Sequence, residues 1–159
     1  MAEDKYPVNL RASMLILRED SVLLCRRFDE PNSWVIPGGT PRLGEGCGSA
    51  ASREVLEETG MDVVAHRVAF VLDIRGPDAD QDITEIVFLG VGATHGTWPT
   101  QWEERLGPAF VPLQSIGDIG LRPPIAGYIR GFAAQARYVG ARQSTAAYLG
   151  NLWRAAEAK

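Results

Sequence analysis

The stretch REVLEETG, Arg53 to Gly60, places Glu54, Glu57 and Glu58 within five residues, with Glu45 a little upstream. In a helix, residues three and four apart share a face, so these three carboxylates stand together. On a wet helix surface such neighbours cost only about a few tenths of a kcal/mol per pair, and a solvated acidic face is one reading. Within the segment Arg53 is the only cation, and its i,i+4 spacing reaches Glu57 alone. The second reading follows from the loop before the helix, "IPGGTPRLGEG", whose Gly and Pro content suits close approach to a ligand. If that loop partly buries the acidic face, two carboxylates about 5 Å apart repel by roughly 3 kcal/mol at an effective dielectric near 20. A proton or a cation must then intervene. Mg²⁺ or Mn²⁺ accepts several carboxylate oxygens and bridges to phosphate, so the residues alone leave a metal–phosphate site and a solvated face both open.

The elements that must carry this cluster are legible. Leu10 to Leu17 and Ser21 to Phe28 favour extended structure around the polar turn Arg18-Glu19-Asp20, which predicts a hairpin. The acidic helix is expected from Gly46 or Cys47 to Thr59, ending on Gly60 as its left-handed cap. Ala51, Ser52, Val55 and Leu56 should form its core side. "DVVAHRVAFVLDIR" and "ITEIVFLGVGA" read as strands, and "AFVPL" as a short closing strand. Beyond Pro124 the pattern becomes helical, first in "IAGYIRGFAAQARYV" and again in "STAAYLGNLWRAAEA".

A chain of 159 residues suits one domain, with residues 1–6 expected to be flexible and 124–159 to form a C-terminal helical segment. Hydrophobic residues at 45% and charged residues at 23% argue against disorder. A net charge of -4 argues against a broad surface for duplex nucleic acid. No apolar run is long enough for a membrane span, and MAEDKYP lacks the order of a signal peptide, so a cytoplasmic protein is expected. In that compartment Cys25 and Cys47 are expected to be reduced.

Gly39, Glu45 and the run Arg53-Glu54-Val55-Leu56-Glu57-Glu58-Thr59-Gly60-Met61 together resemble the Nudix box, G-x5-E-x7-R-E-U-x-E-E-x-G-U with U aliphatic. The lead-in "WVIPGG" also looks like the family's approach to its box. The resemblance is specific over Trp34 to Met61, follows by element order to about Leu113, and is absent for the final helices. It implies an α/β fold, an α/β/α sandwich with a central mixed sheet, a box formed as loop–helix–loop, and here extra C-terminal helices. It also implies Mg²⁺-dependent hydrolysis of a nucleoside diphosphate linked to another moiety, such as a nucleotide-sugar like ADP-ribose, or of a nucleoside triphosphate. By the match Glu54, Glu57 and Glu58 are the expected metal ligands, Arg53 orients a glutamate, and Glu45 is either an outer ligand or a stabiliser of the helix N-terminus. Gly39 would permit a turn and Gly60 would end the helix.

Outside the box the reading branches. Some family members carry a glutamate just before the aromatic of the late strand, where this chain has Pro108-Ala109 before Phe110. Glu104 or Glu103 from the preceding loop, or one of the box glutamates, must then substitute as the base, and Glu104 is preferred. Arg26, Arg27, Trp34, Gly38 and Gly39 are the candidate substrate contacts, with Phe28, Trp98, Trp102 and Phe110 as further stacking surfaces. Pro77 has a spacing from the box that resembles the ADP-ribose pyrophosphatase subgroup. His66 and His95 are read as non-catalytic, and the end helix with Tyr148, Leu149, Leu152 and Trp153 could pack on its own core or on a second subunit, a homodimer being the preferred reading. Two other functions compete: a nucleotide-binding regulatory domain without turnover, and an isoprenoid diphosphate isomerase, for which no cysteine motif is evident.

Overall fold

The computed structural model describes residues 8–27, 30, 32–75, 82–92, 107–139 and 147–151, the last five and 137–139 by backbone alone. In chain order its elements are β1 (Asn9–Leu15), β2 (Leu17–Arg18), β3 (Ser21–Arg26), β4 (Trp34–Val35), β5 (Gly38–Gly39), α1 (Cys47–Thr59), β6 (Val64–Ile74), β7 (Ile83–Val91), β8 (Ala109–Pro112), α2 (Ala126–Val139) and β9 (Ala147–Asn151). One sheet runs β5-β1-β7-β6-β9 and is mixed, with β1 parallel to β7 and β7 antiparallel to β6. The other joins β2, β3 and β4, and β8 pairs with β3.

Alternation along the strands sorts side chains onto the two faces of the mixed sheet. Ala12 and Met14 of β1 pack with Ala50, Ala51 and Val55 of α1 in one buried cluster. Leu15, Leu72, Val87 and Leu89 join Ile125, Ile129 and Phe132 on the α2 side in a larger one. The sheet therefore lies between two helices, each burying one apolar stripe against it. That is the α/β arrangement expected from the sequence, and the strands over 64–74, 83–91 and 109–112 and the helix over 126–139 fall where the pattern placed them.

Three expectations need correction. The hairpin is confined to β2 and β3, closed by Glu19-Asp20, with Glu19 in the left-handed region at φ 52°. β1 stops at Leu15 and pairs with β5 and β7 instead, because the chain crosses between the sheets at buried Ile16. Second, Leu56 is 49% exposed rather than on the core side. It lies about 100° around the helix from Val55, outside the stripe of Ala50, Ala51, Val55 and Thr59. Third, the second C-terminal helix is replaced over Ala147–Asn151 by β9, which adds in parallel to β6 through Phe70↔Ala147 and Val71↔Tyr148. The backbone groups on the outer edge of β6 outweigh the apolar periodicity there, since an open strand edge offers a row of donors and acceptors. An end helix carrying Tyr148 and Leu149 onto a second subunit thereby loses its basis; Leu152 and Trp153 lie outside the described residues.

Candidate active site

The acidic helix forms as expected, Cys47–Thr59, and Gly60 ends it at φ 69°, with its N–H donating to the Leu56 carbonyl at 2.8 Å. Thr59 is buried and its hydroxyl donates to the Val55 carbonyl at 2.6 Å, tightening the last turn. At the other end Gly46 caps without a side-chain bond, and the loop before it folds back through the Glu45 N–H to the Arg42 carbonyl.

This return of the loop gives Arg53 more partners than helical spacing allows. Its guanidinium donates from Nε to Glu45 Oε1 at 2.8 Å and from Nη2 to Glu45 Oε2 at 2.9 Å, a two-pronged pair. Nη1 donates to Glu54 Oε1 at 2.7 Å and reaches Glu57 Oε2 at 3.4 Å. Nη2 also reaches the Thr40 carbonyl at 3.4 Å. The reading that Arg53 compensates Glu57 alone is thus corrected: sequence spacing sees neighbours on the helix, while Glu45 arrives from the loop. Hydrogen bonds from Arg53, followed by the bond from the Arg42 N–H, pull the Glu45 carboxyl down to about 2. The same carboxylates hold Arg53 firmly in its charged form.

Glu54 and Glu58 meet β5. A Cβ on Gly39 would fall on the Glu54 carboxylate, so the strand can lie against that carboxylate only because Gly39 has no side chain. Gly39 sits in extended pairing with Ala12, and the expectation that it serves a turn gives way to this close approach. A Cβ on Gly38 would strike the backbone of Ala12 and Ser13. Its N–H donates to Glu58 Oε2 at 3.1 Å. Glu57 is the most open of the three, 51% exposed, and also pairs with Arg42 at 3.5 Å. Neither Arg42 nor Thr40 was singled out in the sequence, because a loop position gives no periodic signal.

The donor set is all oxygen, the preference of Mg²⁺ and Mn²⁺, and Gly39 leaves a cradle against one carboxylate. Among the described residues no three acidic, His or Cys side chains converge in a metal-holding group. Arg53, Arg42 and the Gly38 N–H each take a share of the carboxylates instead.

The candidate substrate contacts gather at the end of β3. Arg26 pairs in register with Trp34 and its guanidinium lies 4.8 Å from the Trp34 ring, a cation–π contact. Arg27 follows the strand, its N–H donating to the Ser33 carbonyl at 2.9 Å. Cys25, beside them, is buried, and burial, then Glu58, pushes its thiol up. Both cysteines are free thiols. Gly107, Pro108 and Ala109 precede Phe110, whose ring is capped by Arg18 at 5.3 Å. Glu103, Glu104, Phe28, Pro77, His95, Trp98 and Trp102 lie outside the described residues, while His66 is exposed on β6. Among the described residues, no helix is long and apolar enough to cross a membrane.

The family model for the NUDIX domain matches residues 8–132, well beyond Leu113 and into α2. Diphosphoinositol polyphosphate phosphohydrolase 2 of Rattus norvegicus is 41% identical over 61 residues, 36% of this chain and 34% of the relative. Dihydroneopterin triphosphate diphosphatase of Escherichia coli (strain K12) is 34% identical over 67 residues, 42% of this chain and 45% of the relative. The chain thus spans less than half the length of these curated relatives. An ADP-ribose pyrophosphatase structure from Streptococcus suis has a TM-score of 0.64 at 22% identity, covering 89% of this chain and 99% of that one. With the box formed as strand, loop and helix and the family model matched over most of its length, the chain belongs to the NUDIX domain family.

Proposed function

We propose that the protein is a Mg²⁺-dependent diphosphohydrolase that cleaves a diphosphate bond in a nucleotide, either a nucleoside triphosphate or a nucleoside diphosphate linked to another moiety, such as ADP-ribose. The observation that carries this reading is the glutamate face of α1, arranged by Arg53 on one side and by the Gly38 N–H on the other. Glu54, Glu57 and Glu58 would hold the ion. When bound it supplies neutralisation of phosphoryl charge and a lowered pKa for water. Arg53 orients Glu54 and Glu57, and the two-pronged Glu45 bond fixes Arg53 itself. Arg26 and Arg27 would bind phosphate, and Trp34, in cation–π contact with Arg26, would hold a base or sugar face. Glu104 is our proposed proton acceptor, in keeping with the lack of a carboxylate at Gly107-Pro108-Ala109.

The names of the relatives support the substrate class at the level of a diphosphate joined to a second group. The absence of a glutamate before Phe110 favours one further reading, a NUDIX domain that binds a nucleotide without turnover. A panel of nucleoside triphosphates, dinucleoside polyphosphates and nucleotide-sugars, assayed with Mg²⁺ for released phosphate or monophosphate, separates the two. Turnover of at least one member is expected. Saturable binding with no product above buffer would establish the second reading and overturn the first.

A further inference from the structure

β7 alternates Glu85, Val87 and Leu89 on its buried row, so a carboxylate occupies a position where an apolar side chain would pack. Glu85 is 3% exposed. Burying a charge is costly unless it is paired, and replacing a buried pair by apolar residues often costs no stability. The placement of its partners gives a use for the charge. Glu85 Oε1 accepts from the Ser13 hydroxyl at 2.6 Å and from Arg11 Nε at 3.3 Å. Arg11 extends further and donates from Nη2 to the Ile36 carbonyl at 2.9 Å. Ser13 is the register partner of Gly38, whose missing Cβ would collide with the Ser13 Cα and Cβ. One carboxylate oxygen thus fixes two contacts on the segment Ile36 to Gly38, and that segment presents the N–H that Glu58 accepts.

We propose that Glu85 is a positioning residue: through Ser13 and Arg11 it sets the Ile36–Gly38 segment and so the orientation of the Glu58 carboxylate on the opposite face of the sheet. This rests on Glu58 being a metal-holding carboxylate.

The test compares wild type, Glu85→Gln and Glu58→Gln by amide hydrogen exchange at Gly38 and by Mn²⁺ titration calorimetry, with circular dichroism as the fold control. In Glu85→Gln the Gly38 amide is expected to exchange faster and Mn²⁺ to bind roughly 10-fold more weakly, the scale of lost outer-shell support. Unchanged exchange and affinity in a folded Glu85→Gln protein, with affinity lost in Glu58→Gln, would overturn the positioning role alone. Unchanged affinity in Glu58→Gln would instead overturn the metal reading beneath it. Should Glu85→Gln fail to fold, Arg11→Lys replaces the guanidinium fork by a single ammonium while keeping the charge opposite Glu85. The same two readouts then apply, with the same outcomes for and against.

Discussion

Arg53 and Glu45 form a two-pronged pair within the box, two hydrogen bonds of 2.8 and 2.9 Å between two planar groups. Because the Glu45 carboxyl is lowered from 4.5 to about 2 by Arg53 and then by the Arg42 N–H, its protonation couples to folding. The folded form is the weaker base, so this contribution is present above about 4.5 and is lost as pH falls toward 2. Urea midpoints measured across that window should fall less steeply in Glu45→Gln than in wild type, and parallel curves would contradict the pairing. The carboxylates themselves were legible in the sequence, since Glu54, Glu57 and Glu58 need only helical geometry to come together. The reach of Arg53 to Glu45 and Glu54 was not, because it depends on how residues 40–45 fold back. Glu85 was likewise hidden, because a charge in an alternating strand reads as a solvent-facing position until its neighbours on β1 are known.

At the scale of elements, the two glycines of β5 do different work. A side chain on Gly38 meets backbone at Ala12 and Ser13, which cannot move without disturbing β1. Gly38→Ala should therefore lower stability by about 1–3 kcal/mol, the usual cost of overpacking, read from the urea midpoint. At Gly39 the obstacle is the end of the Glu54 side chain, which can swing aside. Gly39→Ala should leave the midpoint close to wild type but reduce Mg²⁺-dependent turnover by displacing Glu54. Equal loss of stability in both variants would contradict this division. Strand and helix order was legible wherever one face is buried, as in β6, β7 and α1, because periodicity records burial. It misled where pairing across the fold decides the outcome. β1 leaves its sequence neighbour for β7, and β9 is recruited by the edge of β6 rather than by its own pattern.

For the whole molecule, one mixed sheet holds the box helix on one face and the core of α2 on the other. This arrangement lets a buried network at Glu85 act on Glu58 across β1 and β5, and leaves the acidic face of α1 toward the loop before it. The family and the architecture were legible from the box. The substrate was not, since several candidate contacts come from loops whose residue types carry no periodic signal. The glutamate face of α1 is proposed to serve Mg²⁺-dependent cleavage of a diphosphate. The most direct test of that role is product release by wild type and Glu58→Gln, assayed side by side with and without Mg²⁺ on the substrate that the panel identifies. Turnover is expected only in wild type with Mg²⁺, at least about 100-fold above a Glu58→Gln protein of unchanged circular dichroism. Full Mg²⁺-dependent turnover by folded Glu58→Gln would contradict it.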